Sequence, residues 1–231
     1  MSQTFRIASY NIHSCVGRDR VSSPERILHV LREINPDIVA LQEVGGSSLI
    51  EEMEQFRFFE KHLSMNGISG AHLRRGRFFF GNALFSKWDI HEHALIDLKV
   101  SFFEPRGAID CAIKTDNGTI RVVATHLGLL PNERRQQLNR LQEALESRQR
   151  ALTVLLGDFN IFGPERRTLR RIGAPKRLPR LFTFPARRPL MSLDRIWSLP
   201  NDQLTNIHVH RTNLSRVASD HLPIVADIAF P

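Results

Sequence analysis

Only two cysteines, Cys15 and Cys111, occur in the 231 residues. They are too few for a disulfide framework and lack the short spacing of a zinc site, so both are expected to be buried packing residues in a reducing compartment. Long hydrophobic runs are missing as well: nowhere do about 18 apolar residues stand together, and no membrane-spanning helix is expected. The start, MSQTFRIASYNIH, has no basic segment followed by an apolar stretch, which makes cytoplasmic the expected location. Acidic residues are in deficit, 24 against 32 Lys and Arg, for a formal charge of +8. Much of the surplus lies between Glu165 and Arg188, where Arg166, Arg167, Arg170, Arg171, Lys176, Arg177, Arg180, Arg187 and Arg188 face that one acid. Such a surface concentrates anionic partners, nucleic acid or an acidic lipid face, although the stretch also reads as a solvated loop. There is no internal repeat and no dividing linker, so one domain over residues 1–231 is expected.

What is present is a succession of short apolar runs. FRIASYNIH has β character, and Ser23-Pro24 then caps a helix whose Ile27, Leu31 and Ile34 recur at helical spacing. Asn35-Pro36-Asp37 stops it, and the continuous apolar run IVALQEV suits a strand covered on both faces. GAIDCAIKT and TIRVVATHL flank Asp116-Asn117-Gly118, whose Asn-Gly pair offers the positive φ angles of a tight hairpin. Pro131 opens a further helix carrying Leu138, Leu141 and Leu145, followed by the buried strand ALTVLLGDFN. From Gly163-Pro164 to Pro189 the Arg- and Pro-rich segment reads as a surface loop inserted within the domain, and strands around LDRIW and LPIVADIAF close the chain.

These runs end, one after another, in residues that a core would not select. Asn11 ends the first, Glu43 the next, His126 follows VVAT, Asp158 and Asn160 follow VLLG, Asp194 interrupts SLDRIW, and Asp220-His221 precedes the last strand. Polar strand ends converge when strands share a sheet. So many carboxylates gathered without partners would be costly, so a cation is expected among them, and oxygen-only ligands favour magnesium or manganese over zinc. Singly, each residue also reads as ordinary structure: Asn11 or GDFN as a turn, His126 as a core histidine, Asp220-His221 as the approach to a strand.

In combination, SYNIH, LQEV, GNALFS, PRGAI, THLG, GDFN, SLDRI and SDHLPI, in that order from residue 9 to residue 224, resemble the endonuclease/exonuclease/phosphatase (deoxyribonuclease I-like) superfamily. The resemblance implies an α/β (α+β) fold, a four-layered α/β/β/α sandwich of two facing mixed, largely antiparallel sheets with the active site at one edge. It further implies a metal-dependent hydrolase of phosphate esters. Glu43 then corresponds to the principal magnesium ligand, with Asn11 beside it and Asp220 able to join; Asp158 and Asn160 hold the attacking water and the phosphate. His221 corresponds to the catalytic histidine with Asp194 as its carboxylate partner, and His126 donates to a non-bridging phosphate oxygen. Asn82 and Arg106 stand beside the ligands or on the phosphate side. Either His221 or Asp158 takes the proton from water. The exonuclease III branch has a tyrosine-containing segment where this chain has Thr125-His126-Leu127, which argues against that branch.

Substrate is the open point. A nucleic-acid phosphodiesterase is favoured by the basic stretch and by Arg74, Arg75 and Arg77. A phospholipid or sphingolipid headgroup phosphodiesterase is the alternative, with Phe102-Phe103 and Phe78 to Phe80 as apolar contacts, although the latter also read as strand core. A catalytically silent binding module is disfavoured because every expected site position is filled.

Overall fold

The computed structural model describes residues 3–46, 54–75, 78–100, 102–148 and 150–230. Arg77 and the side chains of Arg74, Arg75, Phe78 and Phe79 lie outside the described residues. Strand β1, Thr4–Asn11, leads to helix α1, Pro24–Ile34. The Ser23 side chain accepts from the Arg26 N–H, Pro24 fills the first turn where no donor is needed, and Asn35 closes the helix in the left-handed conformation. Strand β2, Ile38–Gly46, and helix α2, Glu54–Leu63, precede the antiparallel pair β3, Asn66–Arg75, and β4, Phe78–Ser86. Then come β5, Asp89–Asp97, β6, Gly107–Thr115, β7, Gly118–His126, α3, Pro131–Ser147, and β8, Thr153–Asp158. Strands β9, Asp194–Leu199, and β10, Leu204–Val209, the short helix α4, Ser215–Ala218, and β11, Ile224–Ala229, complete the order.

The strands of the described residues form two sheets. One has six strands in the order β10-β11-β1-β2-β4-β3, the other five in the order β5-β6-β7-β8-β9. Among the described residues only β1 with β2 and β7 with β8 run parallel. Between the sheets lies an apolar layer including Ile7, Ile38, Leu84, Ile109, Val122, Val154, Ile196 and Ala226. A second cluster joins the outer face of the six-stranded sheet to α1 and α2 through Tyr10, Val39, Leu31 and Phe59, and a third joins the other sheet to α3 through Val123, Leu155, Leu138 and Leu141. The result is the four-layered sandwich expected from the motifs. The central strands bury both faces, which is why they read as continuous apolar runs and not as alternating ones. Cys15 and Cys111 are buried in these clusters.

Two local expectations need correction. In the β6–β7 hairpin only Gly118 has a positive φ, +115°, and the Thr115 hydroxyl, accepting from the Asn117 N–H and donating to the Gly118 carbonyl, shapes the rest of the turn. The Arg-rich segment is not a plain surface loop. Residues Gly163–Ile172 form 3-10 turns that bury Leu169 and Ile172 against the α3 cluster, and Thr183 to Met191 folds back on itself through paired backbone hydrogen bonds.

Candidate active site

Parallel neighbours bring the C-terminal ends of β1 and β2, and of β7 and β8, to one edge of each sheet, while antiparallel neighbours bring the starts of β6, β9 and β11 to the same edge. A cavity of about 560 Å³ opens there. Asn11, Glu43, Asn82, Arg106, His126, Asp158, Asn160, Asp220 and His221 all line it. Asp194 alone of the ten singled out in the sequence does not; it is fully buried behind His221.

Backbone irregularities aim several of these side chains. The pairing of β2 with β4 shifts register between Leu41 and Val44, and within that bulge Glu43 adopts φ +57°. A bulge turns a side chain that a regular strand would send into the core or onto the outer face. Asn160 takes φ +51° just past β8, with its N–H on Asp158 Oδ1 at 3.0 Å. Left-handed backbone at non-glycine residues costs on the order of 1–3 kcal/mol each and persists where surrounding contacts enforce it.

Hydrogen bonds join the groups into one network. Asn11 Nδ2 donates to Glu43 Oε1 at 2.9 Å and to Asp158 Oδ2 at 3.1 Å, and its Oδ1 accepts the His13 N–H at 3.1 Å. His221 Nδ1 donates to Asp194 Oδ2 at 2.9 Å, the same oxygen that accepts the Thr183 hydroxyl, and His221 Nε2 faces Asp158 Oδ2 at 3.7 Å. Phe184 packs on the His221 ring at 4.8 Å between centroids. Asn82 is spent on scaffolding: its Nδ2 donates to the Gly107 carbonyl at 2.9 Å, joining the two sheets beside Arg106.

Burial and charge set the protonation states. Burial alone would lower the His221 imidazole, but the Asp194 carboxylate and the hydrogen bond to it, followed by Asp158 and Asp220, hold it up, to about 10. Burial and the neighbouring Asp194 push the Asp158 carboxyl up to about 6, against the opposing pull of His221 and the Asn11 hydrogen bond. His126 lies well below the usual imidazole range, because burial, the Arg106 guanidinium and His221 all disfavour its cation.

Among the described residues, Asp158, Asp194 and His221 bring ligating atoms within 4.8 Å of one another. Their atoms already serve each other as donor and acceptor, and His221 is a cation, so this trio is a poor cage. Glu43 and Asp220 fit an ion better: both line the cavity, both are only half-buried, and neither has an ion-pair partner among the described residues. The set offers carboxylate oxygens and no thiolate, which matches magnesium or manganese.

Sequence reasoning missed Thr183 and Phe184, which come from the Arg-rich segment and carry no local signal. It also passed over Arg195, whose guanidinium binds the Ser192 hydroxyl, the Asp194 carbonyl and the Ile161 carbonyl behind the site. A basic residue inside the apolar strand SLDRIW was the available clue.

The two-sheet sandwich thus gathers carboxylates, amides and two histidines at one edge. The family model described as "Endonuclease/Exonuclease/phosphatase family" matches residues 8–221. The chain belongs to this family, whose members are metal-dependent hydrolases of phosphate esters. No curated protein matches the sequence. Among solved structures, an endonuclease/exonuclease/phosphatase from Beutenbergia cavernae superposes with a TM-score of 0.79 at 21% identity, covering 99% of this chain and 72% of that one. The corresponding protein of Bacteroides vulgatus gives 0.78 at 18%, covering 99% and 100%. D. rerio TDP2 complexed with a single-strand DNA product gives 0.71 at 16%, covering 99% and 100%.

Proposed function

We propose that the protein is a magnesium-dependent phosphodiesterase acting on nucleic acid. The observation that carries the substrate is the turn from Thr183 to Met191. Its Ala186 N–H donates to the Asp220 carbonyl at 2.7 Å, and the next two residues, Arg187 and Arg188, are exposed. The turn also lines the cavity with Phe184 and Met191, so its two exposed arginines offer positive charge beside the site to the phosphates flanking a scissile diester. A fold shared with TDP2, one of whose structures holds a single-strand DNA product, is consistent with this reading.

In this reading Glu43 and Asp220 would hold the ion, and Asn11 keeps Glu43 and Asp158 in register. A bound divalent ion would neutralise phosphate charge and support the leaving oxygen. Asp158 takes the proton from water, since its Oδ2 faces the cavity beside Asn11 and His221 Nε2, whereas His221 already donates Nδ1–H to Asp194 and its neighbouring carboxylates favour the cation. His221, oriented by Asp194, stabilises charge developing on the phosphate, and Asn160 and His126 donate to non-bridging oxygens. In-line displacement needs little beyond this positioning.

One observation favours a second reading, a lipid headgroup diester: Leu129 and Phe162 line the cavity yet are 67% and 55% exposed, and Phe102, four residues before Arg106 in the chain, is fully exposed. A turnover panel with magnesium separates the two, comparing single- and double-stranded DNA, RNA, sphingomyelin, phosphatidyl lipids and small phosphodiesters. Turnover of DNA or RNA that falls steeply with salt is the expected result; turnover of vesicles without it would overturn the nucleic-acid assignment.

A further inference from the structure

His126 stands between two hydrogen-bond donors. Arg106 Nη1 lies 3.1 Å from Nδ1, and Asn160 Nδ2 lies 3.2 Å from Nε2. The Asn160 amide is oriented by its other bond, Nδ2 to the Leu127 carbonyl at 2.9 Å, so the atom facing the ring is a donor. A neutral imidazole has a single lone-pair nitrogen and can accept from only one of the two. Arg106 decides the contest. Its guanidinium only donates, and a charge-assisted bond is about twice as strong as a neutral one. Nδ1 therefore accepts from Arg106, and the ring proton sits on Nε2. On that side the Asp158 Oδ2 acceptor, 3.6 Å away, also suits a proton. Arg106 is itself anchored: its Nη2 donates to Glu104 Oε2 at 3.1 Å.

We propose that Arg106, braced by Glu104, is a positioning residue that locks His126 in the neutral Nε2–H tautomer, making this ring a fixed hydrogen-bond donor to the phosphate and removing it as a general base. The two histidines of the site are thereby set in opposite senses. A carboxylate, Asp194, draws the His221 proton to Nδ1, and a guanidinium drives the His126 proton to Nε2. The use of the donor in turnover rests on the phosphoesterase reading; the tautomer does not.

The test is imidazole 15N NMR of the whole chain, with the His126 signals assigned by their loss in His126→Gln. In the wild type Nδ1 is expected to show the shift of an unprotonated nitrogen and Nε2 that of a protonated one. Arg106→Met should move the proton toward Nδ1, where Asn160 can then donate to Nε2, and should lower kcat on a small phosphodiester by about 10- to 100-fold. Arg106→Lys should restore much of both, and Glu104→Gln should give a weaker version. A wild-type proton on Nδ1 overturns the proposal, as does an unchanged tautomer in a folded Arg106→Met protein. A rise in KM with kcat and tautomer unchanged would show Arg106 binding phosphate directly and overturn it too. Failure of every phosphoester to turn over would overturn the functional reading alone, since the tautomer is read without substrate.

Discussion

Asp158 and Asp194 are direct partners across the antiparallel strands β8 and β9, and both are buried. Like charges opposite one another in a sheet repel. The cation that reconciles them is His221, with Nδ1 at 2.9 Å from Asp194 and Nε2 at 3.7 Å from Asp158, while Arg195 supplies a second positive charge from behind. The cluster is thus a stability problem that these two cations offset.

The pairing of His221 with Asp194 predicts coupled losses. His221→Ala should lower kcat by about 100- to 10,000-fold with a smaller effect on KM, because it acts on charge that develops in the transition state. Asp194→Asn should reproduce part of this. A double-mutant cycle on kcat should give an interaction energy of roughly 0.5–3 kcal/mol; full additivity would mean that the two side chains act independently.

Removing Glu43 should separate metal binding from folding. Glu43→Gln is expected to abolish calorimetric magnesium affinity and turnover, while the metal-free melting temperature holds or rises slightly as one carboxylate charge leaves the cluster. Unchanged magnesium affinity in the variant would remove Glu43 from the ligand set.

The same charges predict how metal-free stability follows pH. His221 is raised in the fold, so the stability it contributes is fully present below its ordinary value near 6.5 and is lost as pH rises through about 10. Asp158 is also raised, so the fold favours its protonated form, and that advantage fades as pH rises from its ordinary 3.8 through about 6. Melting curves with a chelator, recorded from pH 4 to 10, should show the upper decline shrink in His221→Asn and the lower one shrink in Asp158→Asn. A difference curve that is flat across both windows would contradict these assignments.

Gly157 is the residue that lets Asp158 reach the site. Its φ is +144°, and a Cβ there would stand 1.9 Å from the Thr125 carbonyl oxygen of the neighbouring strand β7. Gly157→Ala combines backbone strain with overpacking against main chain, and should cost at least about 3 kcal/mol in urea unfolding. A loss below about 1 kcal/mol would show that β7 and β8 yield readily at this point.

The arginines of the long segment should not be equivalent. Arg187→Glu with Arg188→Glu should cut activity on DNA or RNA by tenfold or more and flatten its salt dependence, by about 0.7 to 0.9 log units per log unit of salt for each phosphate no longer neutralised. A small phosphodiester should be turned over as before. Arg170→Glu with Arg171→Glu should do less, because Arg171 is bonded to Asn139 on α3 at 3.0 Å. Equal losses from both pairs would return the segment to a diffuse basic surface.

The amino-acid sequence by itself determined the helix bounds, the buried strands and the polar residues at their ends, and its eight ordered motifs carried the resemblance that implied the class of fold and the cast of the site. Ser23-Pro24 and Asn35 bounded a helix, unbroken apolar runs marked strands covered on both faces, and the polar residues ending those runs, Asp194 excepted, met in the cavity. Elements without a distinctive pattern were not legible: α2, the exposed strands β5 and β10, and the 3-10 turns after β8, where packing on α3 outweighs a composition that reads as loop. Only the tertiary structure decided the finer chemistry. The bulge that turns Glu43 into the cavity depends on its pairing with β4, and the burial of Asp194 behind His221 depends on Thr183 and Phe184 folding over them. Protonation follows the same rule. A histidine in THLG or SDHLPI carries no local instruction about which nitrogen holds the proton or whether the ring is charged, since both depend on the field of groups brought close only by folding, a carboxylate beside His221 and a guanidinium beside His126.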